Sequence, residues 1–126
     1  MLSDISLRKD MLKCASQSIL DLKEFFGDKL ERIFLYGSLS KGKVHENSDI
    51  DVLCIGTLEK DISLLNRISE FIYNKNYKYE INVKYYNLNK FRELYNNNNL
   101  FLHSIKYDLL RLEDINELLW FCIKRF

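Results

Sequence analysis

Residues 35–53 constrain the fold more than any other part of the chain. The apolar run at 32–36 is typical of a buried strand, and Gly37 ends it where the backbone must turn. A second apolar run follows at 49–55 after a polar loop. The order that this pattern predicts is strand, Gly-Ser turn, short helix at 39–43, loop and strand.

The turn at Gly37 and Ser38 has the properties of a phosphate-binding site. A Gly-Ser pair that opens a helix offers unpaired backbone N–H groups, the positive end of the helix dipole and a hydroxyl donor. Gly37 has no Cβ that would obstruct a close approach. The sequence therefore predicts that phosphate binds at this turn.

Two aspartates stand at the start of the second strand. Asp49 and Asp51 are two residues apart, so the alternation of a strand puts both carboxylates on one face. Adjacent carboxylates repel each other unless a cation lies between them, and hard divalent cations such as Mg²⁺ bind carboxylate oxygen. This pair is the predicted metal site.

Taken together, Gly-Ser, ten further residues and Asp-x-Asp resemble the signature of the polymerase-β-like nucleotidyltransferase superfamily, in particular its minimal single-domain (MNT) members. The likeness extends into the spacer. Residues 40–42 are a small residue, a basic one and a glycine, as is usual in the family, and Ser48 directly precedes the first aspartate. The resemblance implies Mg²⁺-dependent transfer of a nucleoside monophosphate from a nucleoside triphosphate, with ATP as the expected donor, to an acceptor hydroxyl, with pyrophosphate leaving.

The resemblance also implies a role for each matched position. The aspartates would bind the metal and carry the catalysis, with Glu80 as the candidate third carboxylate. Four other residues would hold the nucleotide, namely Gly37, Ser38, Lys41 and Ser48, with Lys43 as the alternative to Lys41 for the supporting positive charge. Ser48 is included because it directly precedes the first aspartate.

The third carboxylate is where the chain departs from the family pattern. In the family it lies on the next strand, which we predict at 77–86, and the register places it at Asn82. An amide brings no negative charge and accepts no proton at neutral pH. Glu80 is two residues away on the same predicted face. Either it completes the site, or it is a solvated carboxylate paired with a neighbouring lysine and the protein is a catalytically impaired module that binds nucleotide or a partner.

The fold class predicted from these elements is α/β (α+β). We expect one nucleotidyltransferase domain over 1–126, with a small mixed sheet in one layer and helices packed on one face in the other. The amphipathic pattern predicts helices at 3–26, 58–72, 88–95, 100–106 and 113–126, and a short edge strand at 108–112.

Charge, cysteines and hydropathy set broader limits. A net charge of +1 argues against a protein that binds long nucleic acid mainly by neutralising its phosphates. The odd count of three cysteines favours reduced core thiols. No apolar stretch approaches the ~20 residues needed to cross a bilayer, and no secretion signal is visible. These features predict a cytoplasmic protein that does not act at a membrane.

The acceptor is expected to come from outside the domain. At 126 residues there is almost no room for a separate acceptor-binding domain, which favours a partner protein or a homo-oligomer. The resemblance implies a helical partner, as in toxin–antitoxin pairs whose nucleotidyltransferase modifies the toxin, or a small-molecule acceptor as in antibiotic-inactivating relatives. The last helix is apolar and aromatic over more than one face, at Trp120, Phe121, Ile123 and Phe126, so either a partner or its own core covers it.

Overall fold

A computed structural model describes residues 4–124, with the side chains of residues 5–121. Five α-helices and three strands follow one another in the order α1, β1, β2, α2, β3, α3, α4, α5, with a single 3₁₀ turn at Gly27–Lys29 between α1 and β1. Their bounds are Asp4–Phe26, Leu30–Tyr36, Ile50–Gly56, Ile62–Lys75, Ile81–Asn87, Leu88–Asn96, Leu100–Ile105 and Leu112–Lys124.

The three strands form one mixed sheet in the order β1-β2-β3. β1 and β2 are antiparallel, and β2 and β3 are parallel. In this register Asp51 lies opposite Tyr36 on one side and opposite Asn82 on the other. The end of β1 and the starts of β2 and β3 therefore meet at one edge of the sheet.

The long helices pack on one face of the sheet, as predicted. A continuous core joins α1 to this face through residues such as Met11, Ile19, Leu35 and Val52, each of which is fully buried. The shorter helices add a feature that was not predicted. α3 and α4 cover part of the opposite face, around Leu53 and four further buried side chains, namely Ile55, Tyr86, Leu102 and Ile105.

Two short elements differ from the prediction. Residues 39–43 form hydrogen-bonded turns instead of a helix, because Gly42 adopts φ +78°, which a right-handed helix cannot continue through. The predicted edge strand at 108–112 is a single bridge, in which Leu110 exchanges two hydrogen bonds with Leu35 at 2.8 and 2.9 Å.

The third strand begins later than predicted, at Ile81 instead of 77. The two tyrosines before it alternate as in a strand, but their hydroxyl groups bind α1: Tyr77 donates to Asp21, and Tyr79 donates to Asp10. These hydrogen bonds tie the segment before β3 to α1. Glu80 directly precedes β3.

No helix within 4–124 is long and apolar enough to span a bilayer. Cys14 and Cys54 are free thiols, and burial raises the pKa of Cys54 to about 12. On α5, Trp120 and Phe121 are 52% and 61% exposed. The side chains of Cys122, Ile123 and Phe126 lie outside the described residues, so a partner on this helix stays a prediction.

Candidate active site

The candidate site lies where the ends of the three strands meet. β1 delivers the chain to Gly37, β2 begins directly after Asp49, and β3 carries Asn82 in its second position. Asp51 is the register partner of Tyr36 on one neighbouring strand and of Asn82 on the other, so residues of all three strands lie side by side at this end of the sheet. The predicted Gly-Ser turn and the predicted acidic pair are brought together.

Gly37 touches the carboxylate of Asp51 directly. A Cβ built on Gly37 would lie much closer to Asp51 Oδ2 than van der Waals contact allows, and the backbone has φ +82°, in the left-handed region that side chains disfavour. Glycine is therefore required here both by conformation and by space. Because Gly37 has no side chain, the Asp51 carboxylate can lie directly against the turn.

Asn82 bridges the acidic pair. Its Nδ2 donates a hydrogen bond of 3.0 Å to Asp49 Oδ2. Burial raises the pKa of Asp51, hydrogen bonding to Asn82 lowers it, and the charge of Asp49 raises it, with a net upward shift. The amide thus offsets only part of the repulsion between two half-buried carboxylates.

The turn at residues 37–43, which we call the phosphate turn, is closed by its own hydrogen bonds. Ser40 Oγ donates to Gly37 O at 2.8 Å, and Lys43 N donates to Ser38 O at 2.9 Å. Leu39 is fully buried and anchors the turn in the core. Among residues 4–124 no acceptor pairs with the N–H groups of 38–40, which suits this turn to an anion.

Lys41 and Ser48, both predicted to contact nucleotide, have partners in the structure. Lys41 Nζ lies 3.6 Å from Asp108 Oδ2, with the lysine side chain 47% exposed. Ser48 is buried, and its hydroxyl accepts from His45 N at 3.0 Å while its own N–H donates to His45 O at 2.9 Å. These bonds hold the loop that leads into Asp49. A nucleotide contact by either residue stays a prediction.

Glu80 is exposed, and its position differs from that of Asn82. Its backbone carbonyl accepts a hydrogen bond of 2.9 Å from Ile50 N, and its side chain borders a groove of about 810 Å³ between α2 and β3. In the described part of the chain, no three His, Cys, Asp or Glu residues cluster closely enough to hold a metal ion. Asn82 is the side chain that contacts the pair, and the assignment of Glu80 as third ligand stays a prediction.

Tyr36 is a site neighbour that sequence reasoning treated only as strand filling. Burial, the charge of Asp51 and the nearby Tyr86 together raise the pKa of Tyr36 to about 12. Its ring meets Phe101 edge-on, with centroids 5.8 Å apart. The only sequence signal was its position directly before Gly37; its place opposite Asp51 depends on the register of two strands.

The donor set suits Mg²⁺. Asp49 and Asp51 present hard carboxylate oxygens next to each other, and burial together with the charge of Asp49 raises the pKa of Asp51. Among residues 5–121, no Lys or Arg lies within ion-pair distance of either carboxylate. A divalent cation would relieve that repulsion. The two carboxylates would hold it, and Asn82 is already bound to one of them.

Comparison with known proteins agrees with this geometry. The model of the nucleotidyltransferase domain family matches residues 16–107. The fold is similar to the crystal structure, at 1.40 Å resolution, of a proposed nucleotidyltransferase from Sulfolobus solfataricus, with a TM-score of 0.53 and 21% sequence identity over 74% of this chain and 82% of that chain. No curated protein sequence matches the chain.

Proposed function

The chain belongs to the nucleotidyltransferase domain family, and from this membership we propose that it is a Mg²⁺-dependent enzyme that transfers a nucleoside monophosphate from ATP to an acceptor hydroxyl. The observation that carries the proposal is the contact between Gly37 and Asp51. It joins an anion-binding turn to a pair of carboxylates that no Lys or Arg among residues 5–121 neutralises. Such a site suits a ligand that is both polyanionic and bound to a metal ion.

In this proposal the two halves of the site have separate tasks. The free N–H groups of 38–40 and the Ser38 hydroxyl hold the terminal phosphates. Asp49 and Asp51 would hold Mg²⁺, which when bound neutralises phosphate charge and polarises the phosphorus centre. Asn82 fixes the orientation of the Asp49 carboxylate through its hydrogen bond.

The transfer itself is an in-line displacement. The acceptor oxygen forms a bond to the α-phosphorus, and the bond from that phosphorus to the oxygen bridging the β-phosphorus breaks. The electron pair leaves with pyrophosphate, and the hydroxyl proton passes to water. Since Asn82 accepts no proton, the chain contributes mainly by positioning and by charge, which is the principal source of catalysis in phosphoryl-transfer enzymes.

We propose a partner protein as the source of the acceptor hydroxyl, as in an antitoxin that modifies its toxin. The exposed aromatic side chains of α5, Trp120 and Phe121, support a protein contact. A small-molecule hydroxyl is the alternative acceptor. The two are distinguished by whether label from α-³²P-ATP appears on a protein band or on a small product after incubation with a lysate of the source cell.

The test is pyrophosphate release from each of the four nucleoside triphosphates with Mg²⁺ and that lysate. We compare the wild type with Asp49→Asn/Asp51→Asn and with Glu80→Gln. Release that depends on the aspartates supports the enzyme, and its loss in Glu80→Gln would make Glu80 the third carboxylate. Release equal in the wild type and the double variant would contradict the proposal.

A second candidate function is a module that binds nucleotide without transferring it. Asn82 favours this candidate, because it occupies the register position opposite Asp51 and contacts Asp49 with a donor instead of a third carboxylate. Calorimetry separates the two functions. Saturable binding of MgATP with no pyrophosphate release, with Mg²⁺ or Mn²⁺, would support the binding module.

A further inference from the structure

An arginine from outside the matched family region lies against the phosphate turn. Arg8 is in α1, before residue 16 where the family match begins. Its neighbour Leu7 is buried in the core, which fixes the helix at this point. A Cβ built on Gly42 would lie 3.4 Å from Arg8 Cζ and 3.6 Å from each of Nη1 and Nη2.

These distances define how the guanidinium is oriented. Because Cζ and both terminal nitrogens are almost equally far from the same point, the flat face of the group covers Gly42. The N–H donors along its edge are directed elsewhere. An arginine held by its face keeps the planar fork that pairs with two oxygens of a phosphate.

The guanidinium of Arg8 also has no acceptor among residues 5–121. Nε is buried and has no hydrogen-bond partner, and no carboxylate in residues 5–121 lies within ion-pair distance of the guanidinium. Lys41, on the same turn, is different because it pairs with Asp108. A buried donor with no acceptor is destabilising, so a ligand that supplies oxygen here is favoured.

We propose that Arg8 is a substrate-binding residue, and that its guanidinium binds the terminal phosphates of the nucleoside triphosphate at the phosphate turn. This inference rests on the proposed function. It gives the site a full positive charge from α1 in addition to the N–H groups of 38–40. It also makes Arg8 a specificity determinant, because a nucleoside monophosphate has no phosphate that reaches it.

The test measures nucleotide affinity of the full-length chain by displacement of a fluorescent ATP derivative, with Mg²⁺ present. For Arg8→Gln we expect the Kd of ATP to rise at least about tenfold, the usual effect of losing a charge-assisted hydrogen bond, while the Kd of AMP changes less than about twofold. Arg8→Lys keeps the charge and should recover part of the loss.

Arg67→Gln is the matched control. Arg67 lies on α2 with its guanidinium 5.7 Å from the centre of the Phe25 ring, so its removal should leave both affinities unchanged. Thermal unfolding without nucleotide separates binding from folding, and we expect Arg8→Gln to melt with the wild type. Equal loss of ATP and AMP affinity, an unchanged ATP affinity, or a lowered melting temperature that accounts for the loss would each overturn the inference. If the wild type itself does not bind ATP, the proposed function fails first.

Discussion

Two pairs of aspartates in this chain have opposite surroundings. On α1, Asp10 accepts from Lys78 Nζ at 2.7 Å and from the Tyr79 hydroxyl, and Asp21 accepts from Gln17 at 2.9 Å and from the Tyr77 hydroxyl. Among residues 5–121, the side-chain donor at the Asp49/Asp51 pair is the amide of Asn82.

The pKa shifts follow this difference. Hydrogen bonds from Lys78 and Tyr79 lower the pKa of Asp10, whereas burial raises the pKa of Asp51. A carboxylate supplied with donors stabilises the fold by tying α1 to the segment before β3. A carboxylate half-buried beside another is held at a cost, which is typical of a functional site. Charge alone does not distinguish the two pairs; their partners do.

The largest expected effect is the loss of nucleotidyl transfer when one aspartate of the Asp49/Asp51 pair is changed. Asp51→Asn should reduce nucleotidyl transfer at least about 1,000-fold, since a metal-binding carboxylate contributes several kcal/mol to the transition state. Its free energy of unfolding should stay the same or rise, because the variant removes a repulsive buried charge. Pyrophosphate release and urea unfolding measure the two quantities.

Asp10→Asn is the matched change in the other pair. It should leave transfer intact and lower the free energy of unfolding by about 1 kcal/mol, through the weakened bonds to Lys78 and Tyr79. If Asp10→Asn reduced transfer as much as Asp51→Asn, the division into a structural and a functional pair would be wrong.

A second prediction concerns the glycine that admits Asp51 to the turn. Gly37→Ala should destabilise the fold by about 2 kcal/mol or more, because Cβ meets the Asp51 carboxylate at a positive φ, and should weaken ATP binding as well. Gly27→Ala provides the control: φ is +58° but nothing lies within 4 Å of its Cβ, so only the conformational cost of about 1 kcal/mol applies. Equal losses in the two variants would argue against a close Gly37–Asp51 contact in solution.

A third prediction concerns Asn82, the hydrogen-bond partner of the Asp49/Asp51 pair. Asn82→Asp replaces the bridging amide with a third carboxylate opposite Asp51, so we expect tighter Mn²⁺ binding and transfer raised by about tenfold, which is less than a fully positioned general base contributes. Electron paramagnetic resonance of added Mn²⁺ reports the first and pyrophosphate release the second. A drop in both would mean that the Asn82 amide is needed to hold Asp49.

Much of the site could be predicted because it is local in sequence. Gly37 and Asp51 are 14 positions apart in a segment whose strand, turn and strand are each visible in the residue pattern. The structure brings them together as that pattern indicates. The short helix predicted at 39–43 failed at Gly42, since one positive φ ends a helix that the surrounding residues allow.

Features that depend on distant segments could not be predicted. Arg8 meets Gly42, and Lys41 meets Asp108, across separations that no periodicity encodes. Tyr77 and Tyr79 alternate as strand residues do, yet their hydroxyls bind aspartates on α1. Alternation predicts which side chains share a face, and it does not predict that a hydroxyl at the end of a ring will bind another element.

The smallest expected effect concerns the Tyr79 hydroxyl, which donates to Asp10 on α1. Tyr79→Phe removes one hydrogen bond to Asp10 and should lower the free energy of unfolding by about 1 kcal/mol at pH 7, whereas Tyr107→Phe, at an 88% exposed side chain, should change nothing measurable. Because the folded-state pKa of Asp10 lies below its ordinary 3.8, its stabilisation is present above that pH and is lost as the pH falls through the folded value. The Phe variant has less of this stabilisation to lose, so the two unfolding free energies should converge as urea melts are taken from pH 7 towards pH 2. A difference that stays constant across that range would mean that the hydroxyl stabilises the fold by packing, independently of the charge on Asp10.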